Sequence, residues 1–192
     1  MSTIKTFVDS YKSKNFMNTP QGIQERIEWI KKELDVKVYV PFVEKQAIVQ
    51  TVLASCSNIS DGVIVVDSIQ KYILFTLAMI STYTNLESDD DTSLSDAYDA
   101  LCSCQVGDGT LLDAIIKTFE VEYSICNDIL NMMTADLLAE NNIEKQVGKF
   151  LSNLSEKVNK FGDGLINKLG DFNMDLGQLD IDKLTSMIDK IK

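Results

Sequence analysis

Hydrophobic residues recur at helical spacing through much of the chain. After Thr19 they fall every three or four positions, with charged residues between them, at Ile23, Ile27, Ile30 and Leu34. Pro41 fits the first turn of a further helix. In that second run the apolar positions share one side: Ile48, Val49, Val52, Leu53 and Cys56. Both segments are predicted to be amphipathic helices.

The middle of the chain predicts three more helices. Asp67 and Ser68 are good N-caps for IQKYILFTLAMISTYTNL, which is apolar nearly all round, as expected of a central helix. SLSDAYDALCSC is predicted to be a short helix and QVGDGT a turn. Thr110 can cap a long helix. A single apolar stripe continues after it for about 28 residues, which predicts one helix roughly 40 Å long. That stripe comprises Leu112, Ile115, Phe119, Tyr123, Cys126, Leu130, Met133 and Leu137.

Two short segments have the character of strands. VKVYV, at residues 36–40, alternates in hydrophobicity, and an Asp-Gly turn at Asp61–Gly62 precedes four apolar residues, Val63–Val66. The two segments can pair as a two-stranded ribbon. Such a ribbon is marginal alone and would have to lean on the helices. The sequence therefore predicts a mainly α fold: a helical bundle domain, a short two-stranded β ribbon where these segments pair, and an extended amphipathic C-terminal tail.

The chain divides into three regions by pattern. Residues 1–20 are polar and weakly periodic, and we expect a mobile or partner-ordered N-terminal arm. Residues 21–142 form the helical body. Residues 143–192 are predicted to be an amphipathic helix and tail for subunit contacts. In this last region a narrow stripe keeps steps of three and four: Ile143, Val147, Phe150, Leu154, Val158, Phe161, Leu165 and Leu169.

The C-terminal stripe is too weak to be stable by itself. Gly148 and Gly162 each cost about 1 kcal/mol relative to alanine in a helix, so a partner surface must stabilise the segment. That surface belongs to a neighbouring subunit or to the chain's own body, and we favour the neighbour. Trp29 lies off the stripe of its helix, so it either contacts a partner or widens the apolar face. The predicted protein-interaction residues are Trp29, Phe150, Leu154, Val158, Phe161, Leu165, Leu169 and Phe172.

Charge differs strongly between the regions. Residues 1–38 hold seven basic and five acidic residues, residues 39–142 hold three and sixteen, and residues 143–192 hold eight of each. An acidic body does not attract phosphate backbones or anionic membranes. We therefore expect no membrane binding and no specific nucleic-acid binding. Solubility alone explains the charge, and a surface that DNA can pass without sticking is the functional alternative.

The sequence lacks the residues that common catalytic sites need. It has no histidine, and GDG at Gly107–Gly109 has neither the lysine nor the spacing of a phosphate loop. Glu120 and Glu122 flank the long stripe, where surface solvation explains them. We expect no enzyme activity, no cofactor and no metal.

The cysteines and the remaining candidate segments favour structural explanations. Cys56, Cys102, Cys104 and Cys126 lack the paired spacing of a zinc site and are expected to be small buried hydrophobes. The acidic run of residues 87–96 lacks the glycine and the distal glutamate of a calcium loop, which favours a solvated loop. No secretory signal is visible, and only 15 uncharged residues separate Lys71 from Glu87, too few for a membrane span.

Four phrases carry a resemblance to a protein family: VYVPFVEKQAIVQTVL, DSIQKYILFTLAMISTYTNLE, LLDAIIKTFEVEYSICNDIL and EKQVGKFLSNLSEKV. Over roughly residues 38–158 the chain resembles small structural and assembly proteins of tailed bacteriophages of low-GC Gram-positive bacteria, best the head–tail connector or neck adaptor type. The resemblance implies a virion protein made in the bacterial host cytoplasm. It further implies a homo-oligomeric ring that contacts portal or tail components and helps to retain or conduct DNA.

Two other functions fit the same residues. An assembly chaperone or scaffold would bind a partner helix through the C-terminal stripe and be absent from the particle. A host-directed inhibitor would use the acidic surface to mimic nucleic acid.

Overall fold

The computed structural model describes residues 2–60, 63–88 and 92–139, without the side chains of Ile59, Ser60 and Val63. Seven α-helices lie in this part of the chain: α1 (Ile4–Lys12), α2 (Pro20–Glu33), α3 (Phe42–Cys56), α4 (Ser68–Tyr83), α5 (Leu94–Cys102), α6 (Leu111–Ile116) and α7 (Glu120–Ala139). The six strands are short: β1 (Ser2–Thr3), β2 (Ser57–Ser60), β3 (Val63–Val66), β4 (Leu86–Glu87), β5 (Gln105–Val106) and β6 (Gly109–Thr110). The predicted fold class, mainly α with minor β structure, is confirmed for this part.

Helix starts follow the local capping chemistry that the sequence indicates. The Asp67 carboxylate accepts hydrogen bonds from the backbone N–H groups of Ile69 and Gln70, at 3.0 and 2.9 Å. Thr110 and Asp113 form a capping box, in which each side chain accepts a hydrogen bond from the other's backbone N–H. These bonds satisfy N–H groups that lack partners inside the helix.

Helix α4 is the centre of the hydrophobic core. Residues 74–81 are buried without interruption, and Tyr83 is also buried. Helix α3 packs against both α4 and α7, while α5 packs against α4 and α1. The all-round apolar sequence of α4 is therefore explained, because neighbouring helices cover it on several sides.

The six short strands of this part of the chain form three two-stranded pairs. Strands β2 and β3 pair antiparallel, with Ser57 opposite Val66. Strands β5 and β6 pair antiparallel around Gly107, which has a φ of +64° that favours glycine. Strands β1 and β4 pair in parallel, with Thr3 opposite Glu87, so the start of α1 lies beside the end of the α4 connection.

Three local predictions are wrong. Residues 1–20 are not a mobile arm throughout, because α1 buries Ile4, Phe7, Val8 and Tyr11 against the core. The segment 36–40 forms no strand, since the strand paired with β3 is β2. The long helix after Thr110 is not continuous, because a 3-10 turn at Lys117–Phe119 separates α6 from α7. Its apolar stripe nevertheless faces inward as predicted, with Leu112, Ile115, Phe119, Cys126 and Leu130 buried.

Candidate functional site

The most exposed apolar residues of the described chain include four neighbours at the start of α3. Val38 is 93% exposed, Tyr39 68%, Phe42 60% and Val43 50%. We call these four residues the loop patch. Single exposed apolar residues are ordinary, but several together mark a contact surface on a protein.

The backbone beneath the loop patch is held by the core. Leu34 and Val40 are buried on either side of the connection between α2 and α3. The backbone N–H of Lys37 donates to the carbonyl of Tyr83 at 2.8 Å, and the N–H of Asp35 donates to Asn85 Oδ1 at 3.2 Å. A bend at Val38 turns its side chain to solvent. The patch is thus displayed by a fixed segment, which lowers the ordering cost of binding.

An ion pair between buried Lys45 and half-buried Glu122 lies next to Tyr39 of the patch. Lys45 of α3 is buried, and its ammonium group pairs with the carboxylate of Glu122 in α7. The Tyr83 hydroxyl donates to the same Glu122 oxygen at 2.6 Å. The Lys45 ammonium also lies 5.5 Å from the ring centroid of Tyr39, within range of a cation–π contact. Lys45 therefore links the patch to the centre of the bundle.

The expectation that Glu122 is a solvated surface residue is wrong. Hydrogen bonds from Lys45 and Tyr83 lower the pKa of the Glu122 carboxyl, outweighing the opposing effect of burial. Burial, and next the hydrogen bond to Glu122, raise the pKa of Tyr83. Glu120, by contrast, is exposed as expected. At the contact between α3 and α7, the Glu122 carboxylate is therefore charged and the Tyr83 hydroxyl that donates to it is neutral.

The outer face of α7 carries a second apolar surface. Val121, Ile125 and Met132 are exposed and fall within about 40° of one another on a helix of 3.6 residues per turn. We call these three residues the α7 stripe. Ala135 continues the same face and is also exposed.

The Lys45–Glu122 ion pair joins the two helices that carry these surfaces. Phe42 lies one turn before Lys45 on α3, while Val121 and Ile125 lie within one turn of Glu122 on α7. Residues three or four apart on a helix are neighbours on its surface. Each apolar surface therefore includes a residue within one helical turn of the ion pair.

Trp29 lies partly inside the molecule. It is half-buried, and its ring centroid lies 5.2 Å from that of Phe7, 5.8 Å from that of Tyr11 and 6.4 Å from that of Phe16. It therefore widens the apolar face of α2 toward α1, and its role in a contact with another protein stays a prediction. The seven other predicted interaction residues lie outside the described residues: Phe150, Leu154, Val158, Phe161, Leu165, Leu169 and Phe172.

Lys45 was not predicted to be a functional residue, although its position in the sequence gives a signal. Lys45 precedes Ile48, Val49 and Val52 by three, four and seven positions, so it falls on the apolar side of its own helix. A lysine on a buried face needs a carboxylate partner. Spacing cannot identify that partner, because Glu122 is far away in the sequence.

The cysteines behave largely as predicted. Cys56, Cys104 and Cys126 are buried and Cys102 is half-buried, all with free thiols. Burial raises the pKa of Cys56 to about 12 and also raises the pKa of Cys126. Among the residues with described side chains, no cluster of three or more histidine, cysteine or acidic residues is arranged to hold a metal ion. Within the acidic run, Asp89, Asp90 and Asp91 lie outside the described part.

In the part of the chain that the structure describes, no helix combines the length and apolar character that crossing a bilayer requires. Comparison of the whole chain with protein families, curated proteins and solved structures finds no match.

Proposed function

We propose that this chain is a non-enzymatic structural protein that binds other protein subunits, as a component of the head–tail connector or neck of a bacteriophage virion. The loop patch is the observation that carries the binding role. Four apolar side chains are exposed together on a backbone that hydrogen bonds hold in place. Leaving such a surface in water is unfavourable, and a protein partner would cover it.

The position of the α7 stripe also supports a binding role. It is a second exposed apolar surface, on the helix that the Lys45–Glu122 ion pair joins to α3. Interfaces between subunits have an apolar centre and polar surroundings. Here Glu44, Glu120, Asp128 and Asp136 are the exposed charged residues on the same two helices.

The phage assignment rests on the resemblance of residues 38–158 and on charge. The loop patch falls within the phrase VYVPFVEKQAIVQTVL, and the α7 stripe overlaps LLDAIIKTFEVEYSICNDIL. Residues 39–142, with sixteen acidic and three basic side chains, would repel DNA passing through a ring. Repeated copies in a ring would form a heterologous interface that closes on itself.

Mass spectrometry of purified phage particles tests this proposal. We expect the chain in particles that have heads joined to tails, at several copies per particle. Its absence from the particle, together with its presence in infected-cell lysate bound to a virion protein, would favour the assembly chaperone instead. Its capture with a DNA-binding host protein and with no virion protein would favour the host-directed inhibitor.

A matched pair of variants tests whether the loop patch is needed for incorporation into the particle. Val38→Ser/Phe42→Ser removes two exposed apolar side chains of the patch, while Ile69→Ser/Val65→Ser removes two exposed apolar side chains near the start of α4. We expect only the first variant to be lost from particles. Equal incorporation of both variants would exclude the patch as the contact surface.

A further inference from the structure

A basic cleft lies at the end of the molecule where α1 and α5 finish. It has a volume of about 360 Å³, and three cationic side chains line it: Lys12, Lys14 and Arg26. Ser103 and Gln105, which follow α5, also line it. A cleft of this size can accommodate a few side chains but not a folded element.

Fixed contacts hold the walls of this cleft. The Arg26 guanidinium donates to the carbonyl of Phe16 at 3.3 Å and lies 5.8 Å from the centroid of that ring. The Tyr11 hydroxyl donates to the carbonyl of Gln105 at 2.5 Å, which ties the end of α1 to the segment after α5. A guanidinium has five N–H donors, so Arg26 retains donors for a ligand.

The cations of the cleft are not neutralised by acidic side chains of the described residues, where Lys45–Glu122 is the ion pair found. The C-terminal ends of α1 and α5 point toward the cleft, and each contributes about half a negative charge through its dipole. Three full positive charges exceed that amount. The cleft is thus an electropositive site on a chain whose net charge is −11.

At the opposite end of the α1–α5 pair, the described residues Glu87 and Asp96 are acidic. Strand β1, which leads into α1, pairs with β4 so that Thr3 lies opposite Glu87. Helix α5 starts after Ser93, and Asp96 is in its first turn. The sequence from Glu87 to Asp96 contains five acidic residues and no basic one. Because α1 has nine residues, about 14 Å of helix separates its two ends.

We propose that the basic cleft of one copy receives the acidic run of residues 87–96 of a second copy, in a head-to-tail contact. This inference rests on the proposed function, since it describes how like subunits associate. A contact between two different surfaces propagates and closes into a ring where the rotation allows. A cleft of about 360 Å³ accommodates a short acidic segment but not a duplex.

Charge reversal in the full chain tests the contact. The cleft-reversed variant is Lys12→Glu/Lys14→Glu, and the run-reversed variant is Asp89→Lys/Asp90→Lys/Asp91→Lys. At low ionic strength, where screening is weak, we expect wild-type chains to associate in sedimentation velocity and each reversed variant alone to associate at least about tenfold more weakly. An equal mixture of the two variants should recover association, because each reversed end then meets its complement.

A control separates the cleft from net charge. Lys31→Glu/Lys32→Glu makes the same charge change in the last turn of α2, as Lys12→Glu does in the last turn of α1. This control should associate as the wild type does, and circular dichroism should show that every variant is folded. Three results would each overturn the inference. The folded cleft-reversed variant could associate as strongly as the wild type, the mixture of the two reversed variants could fail to associate, or the wild type could be monomeric at low salt.

Titration with labelled duplex DNA distinguishes a protein occupant of the cleft from a nucleic-acid occupant. DNA binding that the cleft-reversed variant alone loses would identify nucleic acid as the occupant and overturn the protein contact. Absence of the chain from phage particles would refute the proposed function, yet recovery of association in the mixture would still support the contact. Conversely, the chain could be found in particles while the mixture of reversed variants fails to associate. That result would support the proposed function and refute this contact.

Discussion

The ammonium group of Lys45 is paired with the carboxylate of Glu122 inside the contact between α3 and α7. The two residues come from helices that are far apart in the sequence, and both side chains are largely shielded from water. A buried charge without its partner is costly, so this pair fixes how the two helices meet. The same pair joins α3, which begins at Phe42 of the loop patch, to α7, which carries the α7 stripe.

Removing one member of the pair should destabilise the fold. Lys45→Met leaves the Glu122 carboxylate without its cation, and we expect a loss of about 2–4 kcal/mol in the free energy of unfolding. Urea denaturation followed by circular dichroism measures it. Glu120→Gln, two residues away and exposed, is the matched control and should stay within about 0.5 kcal/mol of wild type. Equal effects of the two changes would contradict the structural role of the pair.

The ion pair also predicts how stability changes in acid. Because the pKa of Glu122 is lower in the folded state than its ordinary value of 4.5, its contribution is present above that value and is lost as pH falls through the folded pKa. The wild type should therefore lose stability below about pH 4.5 more steeply than Glu122→Gln does. Urea midpoints measured from pH 7 down to pH 3 compare the two proteins. Parallel curves would show that protonation of Glu122 does not cause the loss of stability in acid.

A glycine in α2 tests the packing of the N-terminal segment. A Cβ atom at Gly22 would lie 2.0 Å from the carbonyl oxygen of Met17, so Gly22→Ala requires the backbone to move. We expect a loss of about 1–3 kcal/mol, although alanine is normally favoured over glycine in a helix by about 1 kcal/mol. Urea denaturation of Gly22→Ala measures whether the substitution lowers or raises the free energy of unfolding. A more stable variant would show that Met17 does not pack where the structure puts it.

The C-terminal region supplies a further prediction. Deleting residues 162–192 should leave a folded helical domain, because the buried core described here is formed before residue 140. The truncated chain should keep its helical circular dichroism and lose higher-order assembly, as measured by sedimentation velocity. Charged substitutions at Phe150, Leu154 and Val158 should act in the same way. Unfolding of the truncated chain would mean that the tail belongs to its own core.

Local signals in the sequence were sufficient for most of the helices. Asp67 and Thr110 begin their helices as predicted, because capping is a contact between residues two or three positions apart. Helix α5, of nine residues, was predicted, whereas α1, of the same length, was missed. Its burial depends on Trp29 and Phe16, which pack against it from beyond the helix.

The candidate site was harder to predict than the helices. Hydrophobic alternation in VKVYV indicates extended backbone, but it cannot tell that the segment lacks a partner strand among the described residues or that Val38 turns outward. The Lys45–Glu122 pair depends on tertiary packing, which sequence spacing does not encode. The loop patch was therefore visible only once the fold was known.

Sedimentation velocity of the full chain, compared with Val38→Ser/Phe42→Ser, tests most directly whether this protein works by binding other subunits. The account predicts that the wild type forms discrete oligomers and that the variant, equally stable in urea because both side chains are exposed, associates less. A wild-type chain that remains a single monomeric species at every concentration and salt would contradict the account.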